Sequence, residues 1–178
     1  MAKDDGGSGI ERLTVRGGAP AIPDREVTLA ERMARLGTPG LSVAVVDGGE
    51  IAWATGYGTR QAGDPDPATS ETLFQAGSIS KPVAALGVLR LVERGDLDLN
   101  TDVNSYLRSW KVPPVDDWQP ELTLRHLLSH TAGLTVHGFP GYPAGRPLPT
   151  TPQILDGEPA ANTDPVRVTI VPGTQYRY

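Results

Sequence analysis

The stretch FQAGSISKPVAALGVLRLVERG, residues 74–95, decides how this chain is read. Gly77 gives a flexible entry, Ser78 opens an apolar run, and Lys81 stands three residues further on. The run is interrupted only by Arg90 and closes at Glu93, Arg94 and Gly95. That spacing predicts a helix from about Ser78 to Arg94 with Gly95 as its C-terminal cap, apolar enough to be buried. Pro82 suits the first turn, where a missing N–H costs no hydrogen bond. Side chains three apart share a helix face, so the Lys81 amine can reach the Ser78 hydroxyl. A serine hydroxyl is a weak nucleophile at neutral pH, and a lysine with a lowered pKa can serve as its base. The helix N-terminus favours negative charge developing at Ser78. The alternative is plain capping, with Ser78 as N-cap and Lys81 as a solvated first-turn side chain. Two features favour the nucleophile–base pair. No other serine has a lysine three residues on, and a lysine entering an apolar helix needs a partner.

Upstream, LAERMARL (29–36) has helical spacing behind Thr28 and is stopped by Gly37-Thr38-Pro39-Gly40. LSVAVVD (41–47), the turn signal Gly48-Gly49 and EIAWATGYG (50–58) together predict a β-hairpin. Asp64-Pro65-Asp66-Pro67 reads as a turn, and residues 1–25, rich in Gly, Asp and Pro, as a flexible lead-in. Downstream, a short helix is expected around Val103–Arg108, and Thr123 is the N-cap of a helix over LRHLLSH (124–130). Eight of the 17 prolines fall between Pro140 and Pro172, which predicts a long surface-loop system there. Val166–Val171 is the one further strand candidate. A hairpin alone makes no stable sheet, so the domain reads as incomplete.

Bulk composition narrows the function classes. With 38% hydrophobic residues in 178, the chain can bury a core, and its net charge of −5 argues against nucleic acid or an anionic membrane surface as partner. No apolar run is long enough to span a bilayer. The opening MAKDDGGSGIERL carries acids where a signal peptide carries an apolar core, so the expected location is the cytoplasm. Absence of cysteine excludes disulfides and thiolate metal sites. His126, His130 and His137 are not spaced as metal ligands, Asp96, Asp98 and Asp102 are spaced as loop and cap acids, and no cofactor is expected. No Gly-x-Ser-x-Gly occurs, which disfavours an α/β-hydrolase elbow. Trp110 and Trp118 read as packing residues.

Extended to FQAGSISKPVAALGVLRLVERGDLDLNTDVNSYL, the opening stretch resembles the nucleophile segment of the serine β-lactamase-like superfamily. That group includes class C β-lactamases, family VIII esterases and D,D-peptidases. GTPGLSVAVVDGGEIAWATGYG resembles its first two strands, LTLRHLLSHTAGL (122–134) the segment after the nucleophile, and PGTQYRY (172–178) the run ending in its catalytic tyrosine. The resemblance covers most of residues 28–178. It implies an α/β (α+β) fold, an antiparallel sheet flanked by helices with a helical subdomain, of which residues 26–178 form the N-terminal part.

The resemblance further implies that Ser78 is the acylating nucleophile, Lys81 its base partner and Tyr178 the proton shuttle. The Ser78 backbone N–H would form half of an oxyanion hole, and His130 would be structural. Members of the superfamily continue past the tyrosine to a strand that supplies the other oxyanion donor and one wall of the pocket. Completion by a C-terminal segment or second polypeptide of the same domain, following a break after Tyr178, is therefore expected. The implied activity is serine hydrolysis through an acyl-enzyme on a small-molecule ester or amide. Carboxyl esters come first, D-peptide or β-lactam amides second, and a penicillin-binding sensor that is acylated without turnover is the alternative.

Overall fold

The computed structural model describes residues 12–15 and 25–178. The chain divides into two compact units, residues 1–75 and 76–178.

In the first unit, strand β1 (Arg12–Val15) pairs antiparallel with β2 (Arg25–Thr28). The expected lead-in over 1–25 therefore contains a strand, and its remaining residues lie outside those described. Sparse apolar residues in RLTV and REVT hid this pair from sequence reading. Thr28 then caps α1 (Leu29–Leu36) with a reciprocal box: its hydroxyl accepts from the Glu31 N–H while the Glu31 carboxylate accepts from the Thr28 N–H. Gly37 ends the helix in the left-handed region at φ 63°. The predicted hairpin is present as β3 (Gly40–Asp47) and β4 (Glu50–Gly58). Its Gly48 and Gly49 both adopt positive φ, as a tight two-residue turn between twisted strands requires. β3 and β4 form a sheet of their own, with no third strand among the described residues.

The second unit opens with a 3-10 turn over Gly77–Ile79, which runs directly into α2 (Ser80–Glu93). Gly95, at φ 78°, lets the chain leave the helix as predicted. The expectation of burial is corrected: no residue of α2 is buried, and Val83 and Leu86 are about two-thirds exposed at 65% and 68%. Apolar residues encircle this helix, so one neighbouring layer cannot cover it.

The core of the unit lies elsewhere. Val103, Val112, Leu122, Ala132 and Val168 are buried together, with Leu107, Trp110, Leu124, Leu127 and Leu134 packed around them. Their sequence separation means that this core is closed by long-range contacts. The short helix expected at 103–108 is a single 3-10 turn, Val103–Ser105, capped by the Asp102 carboxylate. Asp98 likewise accepts from the Asn100 and Thr101 N–H groups, so these acids serve turns as expected.

Thr123 caps α3 (Leu124–Leu128) with His126 completing the box, Nδ1 accepting from the Thr123 N–H. The helix ends two residues earlier than the sequence suggests, because His130 turns into the left-handed region at φ 55°. Within the proline-rich segment, the loop prediction is corrected by α4 (Thr151–Asp156). Thr150 and Gln153 cap it, and Pro152 occupies the first turn, where a proline disturbs nothing. The Trp110 indole N–H donates to Asp156 at 2.9 Å, tying α4 to the core. Val166–Val171 forms no full strand. It makes a single bridge, Leu134 to Val168, flanked by Thr135 N–H to the Arg167 carbonyl and Thr169 N–H to the Gly133 carbonyl.

Candidate active site

Ser78 and Lys81 owe their geometry to local backbone. Gly77, at φ 51°, supplies a left-handed entry that a side-chain-bearing residue resists, and the 3-10 turn then carries Ser78 one turn ahead of Lys81. The Lys81 ammonium donates to Ser78 Oγ at 2.9 Å. Both residues are exposed.

Tyr178 arrives by a different route. Rungs between 133–135 and 167–169 set the direction of the returning chain. The Gly173 N–H then donates to the Thr131 carbonyl at 2.8 Å, and the Arg177 N–H to the His130 carbonyl at 2.7 Å. Gly133 permits the close approach: at φ 70°, an added Cβ would stand 2.3 Å from the Ile170 carbonyl oxygen. The result is a Tyr178 hydroxyl that donates to Ser78 Oγ at 2.7 Å across 100 residues of sequence.

All three residues singled out from the sequence thus meet at one oxygen. The Lys81 ammonium also sits 4.9 Å from the centre of the Tyr178 ring. Hydrogen bonding from Lys81, then from Ser78, holds the Tyr178 phenol below the ordinary tyrosine value of 10.0 against an opposing effect of burial, with the Lys81 charge adding a lesser push downward. A phenol ionised in this way turns its contact round: Ser78 becomes the donor and the phenolate the acceptor. The arrangement can therefore take a proton from Ser78 and pass it on.

The cleft around them has a volume of about 520 Å³ and includes Leu134, Phe139 and His130 beside the three polar groups. Residues 136–139, the start of the loop segment, form part of its wall. A second cleft of about 480 Å³, in the first unit between α1 and the end of the hairpin, contains none of the three. Two features were missed from sequence. Phe139 stands at the cleft with no local signal to mark it. The His130 ring lies against Tyr178, with centroids 4.7 Å apart, and meets Tyr176 edge-on at 5.8 Å. A histidine closing the predicted helix was the available hint. Among the described residues, no group of His, Asp and Glu is placed to hold a metal ion, and no helix is long and apolar enough to cross a membrane.

A mixed α/β domain with a serine at a helix mouth, a lysine one turn on and a tyrosine returning to the same oxygen defines a class, the serine β-lactamase-like proteins. The sequence profile of the beta-lactamase family matches residues 26–178, and the chain belongs to that family. Among curated proteins it is similar to esterase EstB of Burkholderia gladioli, 43% identical over 88 residues, covering 48% of this chain and 22% of the esterase. It is also similar to a penicillin-binding protein of Bacillus subtilis, 34% identical over 107 residues, covering 60% of this chain and 21% of that protein. Among solved structures, the octameric penicillin-binding protein homologue from Pyrococcus abyssi superposes with a TM-score of 0.51 at 34% identity, over 59% of this chain and 23% of the other. The matched stretches of this chain thus cover about a fifth of the length of these relatives.

Proposed function

We propose that this chain carries the nucleophile-bearing part of a serine hydrolase that works through an acyl-enzyme on Ser78. The observation that carries the reading is the convergence of Lys81 Nζ at 2.9 Å and Tyr178 OH at 2.7 Å on Ser78 Oγ. Ser78 Oγ bonds to the substrate carbonyl carbon while its proton passes to the Tyr178 oxygen. The tetrahedral adduct collapses, the bond to the leaving oxygen or nitrogen breaks, and Tyr178 returns the proton to that atom. Water then attacks the acyl-enzyme, losing a proton to the Tyr178–Lys81 pair, and Ser78 regains a proton as the acid departs. The Ser78 N–H would supply one oxyanion donor.

A carboxylic ester is the proposed first substrate, because an alkoxide leaves more readily than an amine and the similar Burkholderia protein is named an esterase. D-peptide or β-lactam amides are second. The unburied faces of α2, and a hairpin without a third strand among the described residues, support a further polypeptide of the same domain that covers them and adds the second oxyanion donor. Likeness to penicillin-binding proteins favours one rival, a protein acylated once without turnover.

Intact-mass spectrometry of the full protein with a fluorophosphonate tests the proposal. One adduct on this chain, lost in Ser78→Ala, is the expected result, and labelling that survives the substitution sinks it. Continuous release of p-nitrophenol from an ester marks the hydrolase, and a stoichiometric burst that stops marks the acylated sensor.

A further inference from the structure

The left-handed backbone of His130, at φ 55°, is one of two such non-glycine conformations among the described residues. Histidine is among the few side chains that tolerate it, at a cost the surroundings must offset. Here the surroundings do so on both sides. The His130 N–H donates to the Leu127 carbonyl at 3.3 Å, the Thr131 N–H to the His126 carbonyl at 2.9 Å, and the Ser129 hydroxyl to the Arg125 carbonyl at 2.8 Å. The turn so fixed points the His130 carbonyl at the Arg177 N–H and the imidazole at the ring of the next residue, Tyr178. The ring planes are tilted by 48°, while the Tyr176 ring meets the imidazole edge-on at 83°. Tyr178 is itself about half exposed, at 48%, so apart from Ser78 and Lys81 at its hydroxyl and ring face, the His130 imidazole is the aromatic ring packed against it.

We infer that His130 is the positioning residue for Tyr178, clamping its backbone through the carbonyl and its ring through the imidazole so that the phenol oxygen stays on Ser78. This rests on the proposed role of Tyr178 as proton carrier. His130 does not touch the nucleophile chemistry itself. The other titratable or charged groups lining this cleft are Lys81 on α2, His137 in the following loop, and Arg177 and Tyr178 on the returning segment, with Tyr176 against the imidazole; no carboxylate side chain lines it. A phenol that swings away from Lys81 loses that ammonium, leaving the Arg177 guanidinium as the other cation in the cleft lining, and is expected to titrate nearer a free tyrosine.

The test uses His130→Asn in the full protein, since asparagine keeps the left-handed turn and removes the ring stack. Fluorophosphonate labelling should slow by about tenfold or more, as displacement of a catalytic group by an ångström can cost about 100-fold. The pH midpoint of labelling should rise, following the phenol back towards the ordinary range. In a Tyr178→Phe background the same substitution should cost nothing further, because the two residues act as one. An independent readout is the ultraviolet difference titration of the Tyr178 phenol, wild type against Tyr178→Phe, which should also move upward in His130→Asn. Wild-type rate and midpoint in His130→Asn overturn the inference, as does an equal loss in the Tyr178→Phe background. If His130→Asn does not fold, His130→Gly meets no steric penalty at this φ and is read in the same way. Labelling retained in Ser78→Ala instead defeats the nucleophile assignment, and the phenol titration then still decides whether His130 holds Tyr178.

Discussion

Helices α2 and α3 bring residues to the same cleft by opposite means. α2 is 14 residues long, apolar around its circumference and unburied, and together with the 3-10 turn that leads into it, it delivers Ser78 and Lys81 by local backbone spacing. α3 is five residues long, capped by Thr123 and His126 and packed beside Leu122 and Ala132. It serves the turn that receives the chain bearing Tyr178. The contact between Ser78 and Lys81 is thus a property of one local segment, a 3-10 turn running into α2. That between Ser78 and Tyr178 is a property of a folded core. Apolarity alone does not identify the structural centre of this unit; the number of segments that converge on a residue does.

If the distinction is sound, perturbations should separate the two contacts. The largest effect belongs to the local pair: Lys81→Met should lower acylation by about 100- to 10,000-fold, the range of general acid–base contributions, with unchanged circular dichroism. Tyr178→Phe should cost about 100-fold or more in the same labelling assay while leaving Ser78 and Lys81 in contact. The sign of the pH effect follows from the depressed phenol pKa. In the proposed mechanism the phenolate is the competent base, so labelling should rise with pH through a midpoint below the ordinary tyrosine value, and Lys81→Met should move what remains of that rise to higher pH.

Next come changes in the core, which should loosen Tyr178 without touching α2. Leu122→Ala removes a side chain that is 2% exposed, and thermal unfolding should show a loss of about 2–5 kcal/mol. Gly133→Ala forces a Cβ against the Ile170 carbonyl in a left-handed residue, with an expected loss of about 1–3 kcal/mol in urea unfolding. Thr123→Ala, which deletes the α3 cap, should cost about 1 kcal/mol. An equal fall in Ser78 labelling from Leu122→Ala and Lys81→Met, at temperatures where both are folded, would erase the distinction between local and core-built contacts.

The same division explains what could be read in advance. The hairpin was legible because alternating β-branched residues flank Gly48-Gly49, and α1 because Thr28 and Gly37 mark its ends. The Ser78–Lys81 contact was legible because three residues on a helix fix a distance. Tyr178 was reached through family resemblance rather than through its neighbours, since the rungs that carry it join residues 32 and more positions apart, from Thr135 and Arg167 to His130 and Arg177. α4 was missed although Thr150 and Gln153 spell a capping box, because prolines on both sides outweighed two polar residues. Exposure of α2 could not be read at all. Burial belongs to what covers an element, and a sequence states only what would benefit from cover.

The 100 residues between Ser78 and Tyr178 also impose a schedule. A ribosome adds roughly 5–20 residues per second, so Ser78 and Lys81 are made about 5–20 s before the phenol that completes their set. In the proposed mechanism the serine lacks its proton carrier through that interval, so the nascent chain is expected to stay quiet towards a serine-reactive label. On that reading reactivity requires that the core has drawn the late segment back to the helix mouth, so an activity-based label applied during synthesis should appear no earlier than that step.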